Sequence, residues 1–272
     1  MIRAKLLIII VLMSVFSILE GQVNDTLLKK IDFNDTTLVD SDFLKTTLAE
    51  YVDSAKNPQL TGENQMYNYI LAVDEVLKKC TSYPMYKFVY QYFIYGFSEL
   101  GANMVVDYMM RVPYLENVGA NSGQRNEIIA LAASFEKIKI GHKAPDIHAV
   151  TIDGREFDLN SVENRYVIIL FWSYTCPHCC SLLEELSGFV KENKDFAVVT
   201  VSVSKELKKV KKTLKKARIT QCYNVCDGEG WKSPIIENYA VDMTPSMFLL
   251  DKDRNIIAKP FDTEEIMNSI EL

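Results

Sequence analysis

Histidine is scarce in this 272-residue chain: there are three, His142, His148 and His178. Protein zinc and copper sites draw on histidine and cysteine, so metal chemistry has little to build on. Positive charge is short as well, with 30 Lys and Arg against 36 Asp and Glu and a net charge of −6. Without a basic excess to neutralise phosphates, nucleic acid is excluded as a partner. No apolar run reaches the roughly 20 residues that a membrane-spanning helix needs. Internal repeats and low-complexity stretches are also missing. What remains is a globular composition, 48% hydrophobic and 24% charged, in a chain long enough for two domains.

The longest apolar run is LLIIIVLMSVFSIL (residues 6–19), preceded by Arg3 and Lys5. A short apolar core behind positive residues is the pattern of a signal peptide. The expected organisation therefore starts with residues 1–21 as a signal peptide, cut after Gly21. Leu19 fits the small-residue rule for that cut poorly, and a retained anchor or a buried helix is the competing reading. No cysteine lies nearby to carry a lipid. Export would bring the six cysteines into an oxidising compartment, where disulfides form and persist.

Residues 22–138 carry helical periodicity. Met85, Phe88, Val89, Tyr92 and Phe93 follow Pro84 at i, i+3, i+4, i+7 and i+8. Ile70, Val73, Leu77 and Cys80 form a second stripe, Leu44, Leu48 and Val52 a third, and Ile128, Leu131, Phe135 and Ile138 a fourth. Four to six helices packed on their apolar faces are expected, with the dense tyrosines of this half serving amphipathic packing.

The pattern changes at residues 139–146. AVTI and REFDL flank Asp153-Gly154, a hairpin signal. YVIILFWS (166–173) and FAVVTVSVS (196–204) are continuous runs suited to strands buried on both faces. Helices are expected from about Pro177 to Lys191 and over 205–217. The second buries Leu207, Val210 and Leu214 and carries Lys205, Lys208, Lys209, Lys211, Lys212, Lys215 and Lys216 outside. That lysine run reads as a solvated face, with attraction of an acidic partner as the alternative. A further strand, a helix, a hairpin at Asp253-Arg254-Asn255 and a last helix give an α/β fold with a mixed sheet.

Three cysteines stand close together in SYTCPHCC (173–180). With Cys176 at the N-cap of the helix that follows strand 166–173, Pro177 takes the first helical position it favours and Cys179 the third. The free N–H groups of that turn and the helix dipole then favour thiolate at Cys176, and a protonated His178 would add to this. Positions three apart suit a disulfide. Cys176 would attack a substrate disulfide, and Cys179 would resolve the mixed disulfide.

With GHKAPD (141–146), VIILFWSYTCPHC (167–179), GEGW (228–231) and YAVDMTPSMFLLDKDRNIIAK (239–259), residues 139–272 resemble the thioredoxin superfamily, in particular its exported TlpA/ResA-like branch. The resemblance implies a thioredoxin-like fold preceded by an all-helical domain, and a cis Thr244–Pro245 bond beside the redox disulfide. Thr244, Pro245 and Trp172 would shape the substrate groove, with Phe171 as a further wall. It also implies protein or peptide thiol substrates, a membrane or periplasmic redox partner, no dissociable cofactor, and a place in the bacterial periplasm. The Pro-His dipeptide resembles that of DsbA, an oxidant, so the direction of electron flow stays open.

The sequence departs from the family at three places. Leu170 replaces thioredoxin's buried acid, Leu182 a glutamate common in ResA-like proteins, and Glu184 a helix-kinking proline. Glu184, Glu185 or water is then expected to help deprotonate Cys179. Cys180 could pair with Cys176 across one turn as an accessory thiol, or simply pack. Cys176 and Cys180 also resemble the copper pair of Sco-like proteins, but the distal histidine is missing, so no metal is expected. Cys222 and Cys226 would lie about 13 Å apart in a strand, too far to bridge without a bulge, and Cys80 reads as a core thiol. Two other activities compete: a non-catalytic assembly factor using the fold as a platform, and a thiol peroxidase. Against the peroxidase, Ile169 and Ser173 stand where its Pro and Thr belong.

Overall fold

A computed structural model describes residues 25–111, 114–219 and 222–270. The expected signal peptide lies outside them. The chain divides into two compact units: the described residues up to Ser98 with Ala102–Ala130, and Glu99–Gly101 with those from Leu131 onward.

The first unit is helical. It contains α1 (Asp25–Leu28), α2 (Asp42–Ser54), α3 (Gly62–Lys79), most of α4 (Tyr83–Glu99), α5 (Asn103–Arg111) and the start of α6 (Ser122–Glu136). Ser41 caps α2 by accepting from the Leu44 N–H at 3.2 Å, which satisfies one orphan donor of the first turn. The buried faces are rotated slightly from the expected stripes. Tyr86 and Tyr90 are buried where Phe88 and Tyr92 are half-buried, and Tyr51 is buried where Val52 is half-buried. A tyrosine can be buried when its hydroxyl finds an acceptor, and Tyr90 donates to the Met109 carbonyl at 3.1 Å.

The second unit holds a five-stranded sheet of order β5-β4-β3-β6-β7. Its strands are β3 (Tyr166–Trp172), β4 (Phe196–Ser202), β5 (Tyr223–Val225), β6 (Ser246–Leu250) and β7 (Ile256–Ala258). The first three run parallel, β6 runs antiparallel to β3, and β7 runs antiparallel to β6. Parallel neighbours need helical crossovers, supplied by α7 (Pro177–Glu192) and α8 (Leu207–Lys216). The short helices α9 (Pro234–Asn238) and α10 (Thr263–Ile270) complete the unit. The Asp153-Gly154 hairpin, β1 (His148–Val150) with β2 (Glu156–Asp158), forms its own two-stranded sheet, joined to β5 by a single bridge from Thr151 to Val225.

β3 is the centre of this architecture. Ile168, Leu170 and Trp172 on one face join Cys179, Leu182, Leu183 and Leu186 of α7 in one apolar cluster. On the other face, Phe171 packs against Tyr239 and Phe248, with ring centroids 5.1 and 5.9 Å away. Both faces of β3 are thus covered, which accounts for its unbroken apolar sequence. Its carboxyl end opens where crossover loops converge, the usual place for a site in such sheets.

Candidate active site

Trp172 ends β3, and the next three residues turn the chain into α7. Ser173 Oγ lies 2.8 Å from Thr175 Oγ1 and 3.1 Å from Ser204 Oγ, tying this turn to the one that leaves β4. Cys176 is the N-cap of α7, and its sulfur accepts the Cys179 N–H at 3.1 Å. Pro177 occupies the first turn, where its missing N–H costs nothing.

Cys176 and Cys179 are joined as a disulfide, with Cα atoms 5.3 Å apart. Their environments differ. Cys176 is half-buried and Cys179 is wholly buried, while Pro177 and His178 are exposed beside them. An incoming thiol therefore meets Cys176. After reduction, the same N–H and the positive end of a four-turn helix lie against the Cys176 sulfur, an arrangement that stabilises thiolate.

The Cys176 sulfur lies 3.6 Å from the Thr244 carbonyl oxygen. The Thr244–Pro245 peptide is cis, and both residues are half-buried. Residues 68 positions apart in the chain thus form one site. Trp172 differs from expectation. It is wholly buried, and its indole N–H has no partner among the described residues, so it supports the disulfide from beneath and does not line a groove. Phe171 is equally buried, on the opposite face of β3.

Glu184 and Glu185 are not placed to serve Cys179. Both are exposed, and at 100° per residue neither shares its helical face. Glu185 instead accepts the Thr263 N–H at 3.2 Å, at the start of α10. A different carboxylate lies on the inner side of the site. A small cavity beside Pro245 is walled by Glu99, Leu182, Met247, Pro260 and Phe261. Burial pushes the Glu99 carboxyl up, with Lys259 opposing and Asp242 adding to the effect. Burial also pushes the Lys259 amine down to about 8, with Glu99 opposing. Glu99 lies outside residues 139–272, and nothing near the Cys-X-X-Cys motif points to it.

The remaining cysteines are free. Cys180 is half-buried one turn from Cys176, and its Sγ donates to the Tyr174 carbonyl at 3.8 Å. Cys222 and Cys226 flank the three residues of β5 and do not pair. The Cys226 thiol donates to the Ser204 carbonyl at 3.2 Å, and burial pushes it up. Burial raises Cys222 to about 11 and Cys80 to about 12.

A family model described as thioredoxin-like matches residues 164–256, which run from just before β3 to the first residue of β7 and contain the disulfide, the cis-proline and four of the five strands of the central sheet. The second unit has a thioredoxin-like fold. Among its sequence relatives is the thiol-disulfide oxidoreductase ResA of Bacillus cereus, 28% identical over 130 residues, or 47% of this chain and 72% of the relative. ResA of Bacillus anthracis is 27% identical over 128 residues, 46% of this chain and 71% of the relative. A thioredoxin-like protein from Bacteroides caccae aligns with 89% of this chain and 88% of its own, with a TM-score of 0.59 at 16% identity. That likeness is one of fold, and it extends across the helical half as well. The TlpA/ResA-like resemblance drawn from the motifs is borne out by these matches.

Proposed function

We propose that this protein is an exported thiol-disulfide oxidoreductase of the ResA-like kind, exchanging disulfides with protein substrates through Cys176 and Cys179. The observation that carries the reading is the Cys176–Cys179 disulfide at the start of α7, with the Cys179 N–H on the Cys176 sulfur and the Thr244 carbonyl beside it. Similarity to proteins named thiol-disulfide oxidoreductases supports the same chemistry.

In the reducing direction, Cys176 thiolate attacks one sulfur of a substrate disulfide and the other leaves as a thiolate. Cys179 then loses its proton and attacks the Cys176 sulfur. The second substrate thiolate departs and the enzyme disulfide is restored. The oxidising direction reverses these steps. Pro177 and His178 set the potential between the sulfurs, and an extended substrate segment lies along Thr244 and Pro245. The bacterial periplasm is the compartment in which we place this chemistry, with a membrane or periplasmic protein as redox partner.

The test is a trap. With Cys179→Ala, attack by Cys176 leaves a mixed disulfide that cannot be resolved, so substrates accumulate as adducts released by dithiothreitol. Cys176→Ala should give none. Partners captured only non-covalently by both variants would favour an assembly platform and overturn the proposal. Glutathione equilibration then fixes the direction: a potential near about −270 mV marks a reductant, and one near about −120 mV a disulfide donor.

A further inference from the structure

The lysine-bearing helix α8 lies beside the redox site. The Tyr174 hydroxyl, two residues before Cys176, donates to Glu206, the N-cap of α8. Lys209 donates to the same carboxylate at 2.9 Å and sits 5.1 Å from the Tyr174 ring centroid. The Val203 N–H donates to the Trp172 carbonyl at 2.9 Å, so the chain entering α8 runs along the chain leaving β3. The first turn of α8 is thus built into the wall of the active-site loop.

From that wall the helix projects one sign of charge. Residues 205–216 contain seven lysines and a single acid, Glu206, within a chain whose total is −6. All seven are exposed, and only Val210 and Leu214 of the helix are buried. Lys209 pairs with Glu206, and the other six form no ion pair among the described residues. Lys208 with Lys211 and Lys212, and Lys212 with Lys215 and Lys216, are like charges three or four apart, an arrangement that weakens a helix. Fold stability therefore gains nothing from the lysine face. Gly230 lies against the Lys205 stem, and Trp231, next in the chain, is exposed.

We propose that α8 is the docking surface for an acidic segment of the protein that exchanges disulfides with Cys176. Opposite charge draws the acidic segment to α8 and raises the encounter rate, and the Tyr174 contact brings that encounter to within a few residues of the nucleophile. This rests on the oxidoreductase reading and adds a class of partner to it.

The test uses two disulfide-linked peptides of equal length, one with four aspartates flanking the cystine and one with four serines. At low salt the reduced protein should react with the acidic peptide at least about tenfold faster than with the neutral one, and the advantage should vanish towards 0.5 M salt, roughly, as screening sets in. Lys208→Glu/Lys212→Glu/Lys215→Glu should abolish it while leaving the neutral peptide's rate unchanged; Lys209 is spared because it holds Tyr174. A cysteine-free acidic peptide should also perturb Trp231 fluorescence, an arm that needs no redox chemistry. Equal, salt-independent rates for both peptides with no fluorescence change overturn the proposal. So does binding of the wild type to anionic vesicles, but not neutral ones, without discrimination between the peptides. Absence of reaction with either peptide, with acidic binding intact, instead sinks the oxidoreductase reading and leaves the docking surface standing.

Discussion

Two of the six cysteines should make the fold sensitive to alkali while taking no part in exchange. Cys80 is 1% exposed and Cys222 8% exposed. Burial raises their thiols from the ordinary 9.0 to about 12 and about 11 respectively. A thiol whose folded value lies above its unfolded one contributes stability that is fully present below pH 9. That stability is lost as pH rises towards 11 or 12, because only the unfolded chain releases the proton. Between pH 7 and pH 10 each thiol should therefore withdraw about 1.4 kcal/mol, and the pair a little under 3 kcal/mol. Urea unfolding at the two pH values, with a phosphine reductant present, would show it. Tyrosines and Lys259 titrate in the same window, so the decisive quantity is the difference between the wild type and Cys80→Ala/Cys222→Ala. The double variant should start less stable, from the atoms removed, but lose about 3 kcal/mol less on going to pH 10. An equal loss in both proteins would refute the reasoning. Iodoacetamide at pH 8 offers a second view: in the reduced native protein Cys176 should label first and Cys180 next, and Cys80 and Cys222 only after unfolding.

Two further outcomes follow from buried polar groups. In the first unit, Asp74 accepts from Lys78 at 2.5 Å, from Tyr108 and from Tyr114. Burial pushes its carboxyl up, but these three donors hold it below 3.8 overall. Its contribution is fully present above 3.8 and is lost as pH falls from there through the lower folded value. Asp74→Ala should cost about 2–3 kcal/mol at pH 7 and less at pH 3, and an equal loss at both would sink the account. In the second unit, the buried Arg254 guanidinium donates to four backbone carbonyls, those of Leu159, Val162, Asn164 and Asp251. Arg254→Met strands them and should cost at least about 3 kcal/mol, and a urea midpoint close to the wild type's would contradict it.

What the sequence displays depends on how local the cause is. Cys176, Pro177 and Cys179 are legible as a capped helix start because the cap, the proline and the free N–H groups lie within four residues. The mixed sheet is legible because β3 and β4 carry unbroken apolar runs. The partnership of Thr244 with Cys176, across 68 residues, comes only from resemblance to a family, since no periodicity links a carbonyl to a distant sulfur. Where both faces of an element are apolar, the sequence loses direction. Trp172 reads as a groove residue although it points into the α7 cluster, because an unbroken run does not say which side meets solvent. Tyr90 takes the buried face of α4 ahead of Tyr92, and the hydroxyl acceptor that permits this, the Met109 carbonyl, lies on another helix. Glu99 is the extreme case. An acid at the end of a helix is unremarkable in sequence, and only the fold sets it against Leu182 and Pro245. For α8, composition alone cannot separate a solvated face from a docking surface, and the choice turns on where the face is held. The Tyr174–Glu206–Lys209 contact holds it at the active-site loop, which gives the charge a direction that a count of lysines lacks.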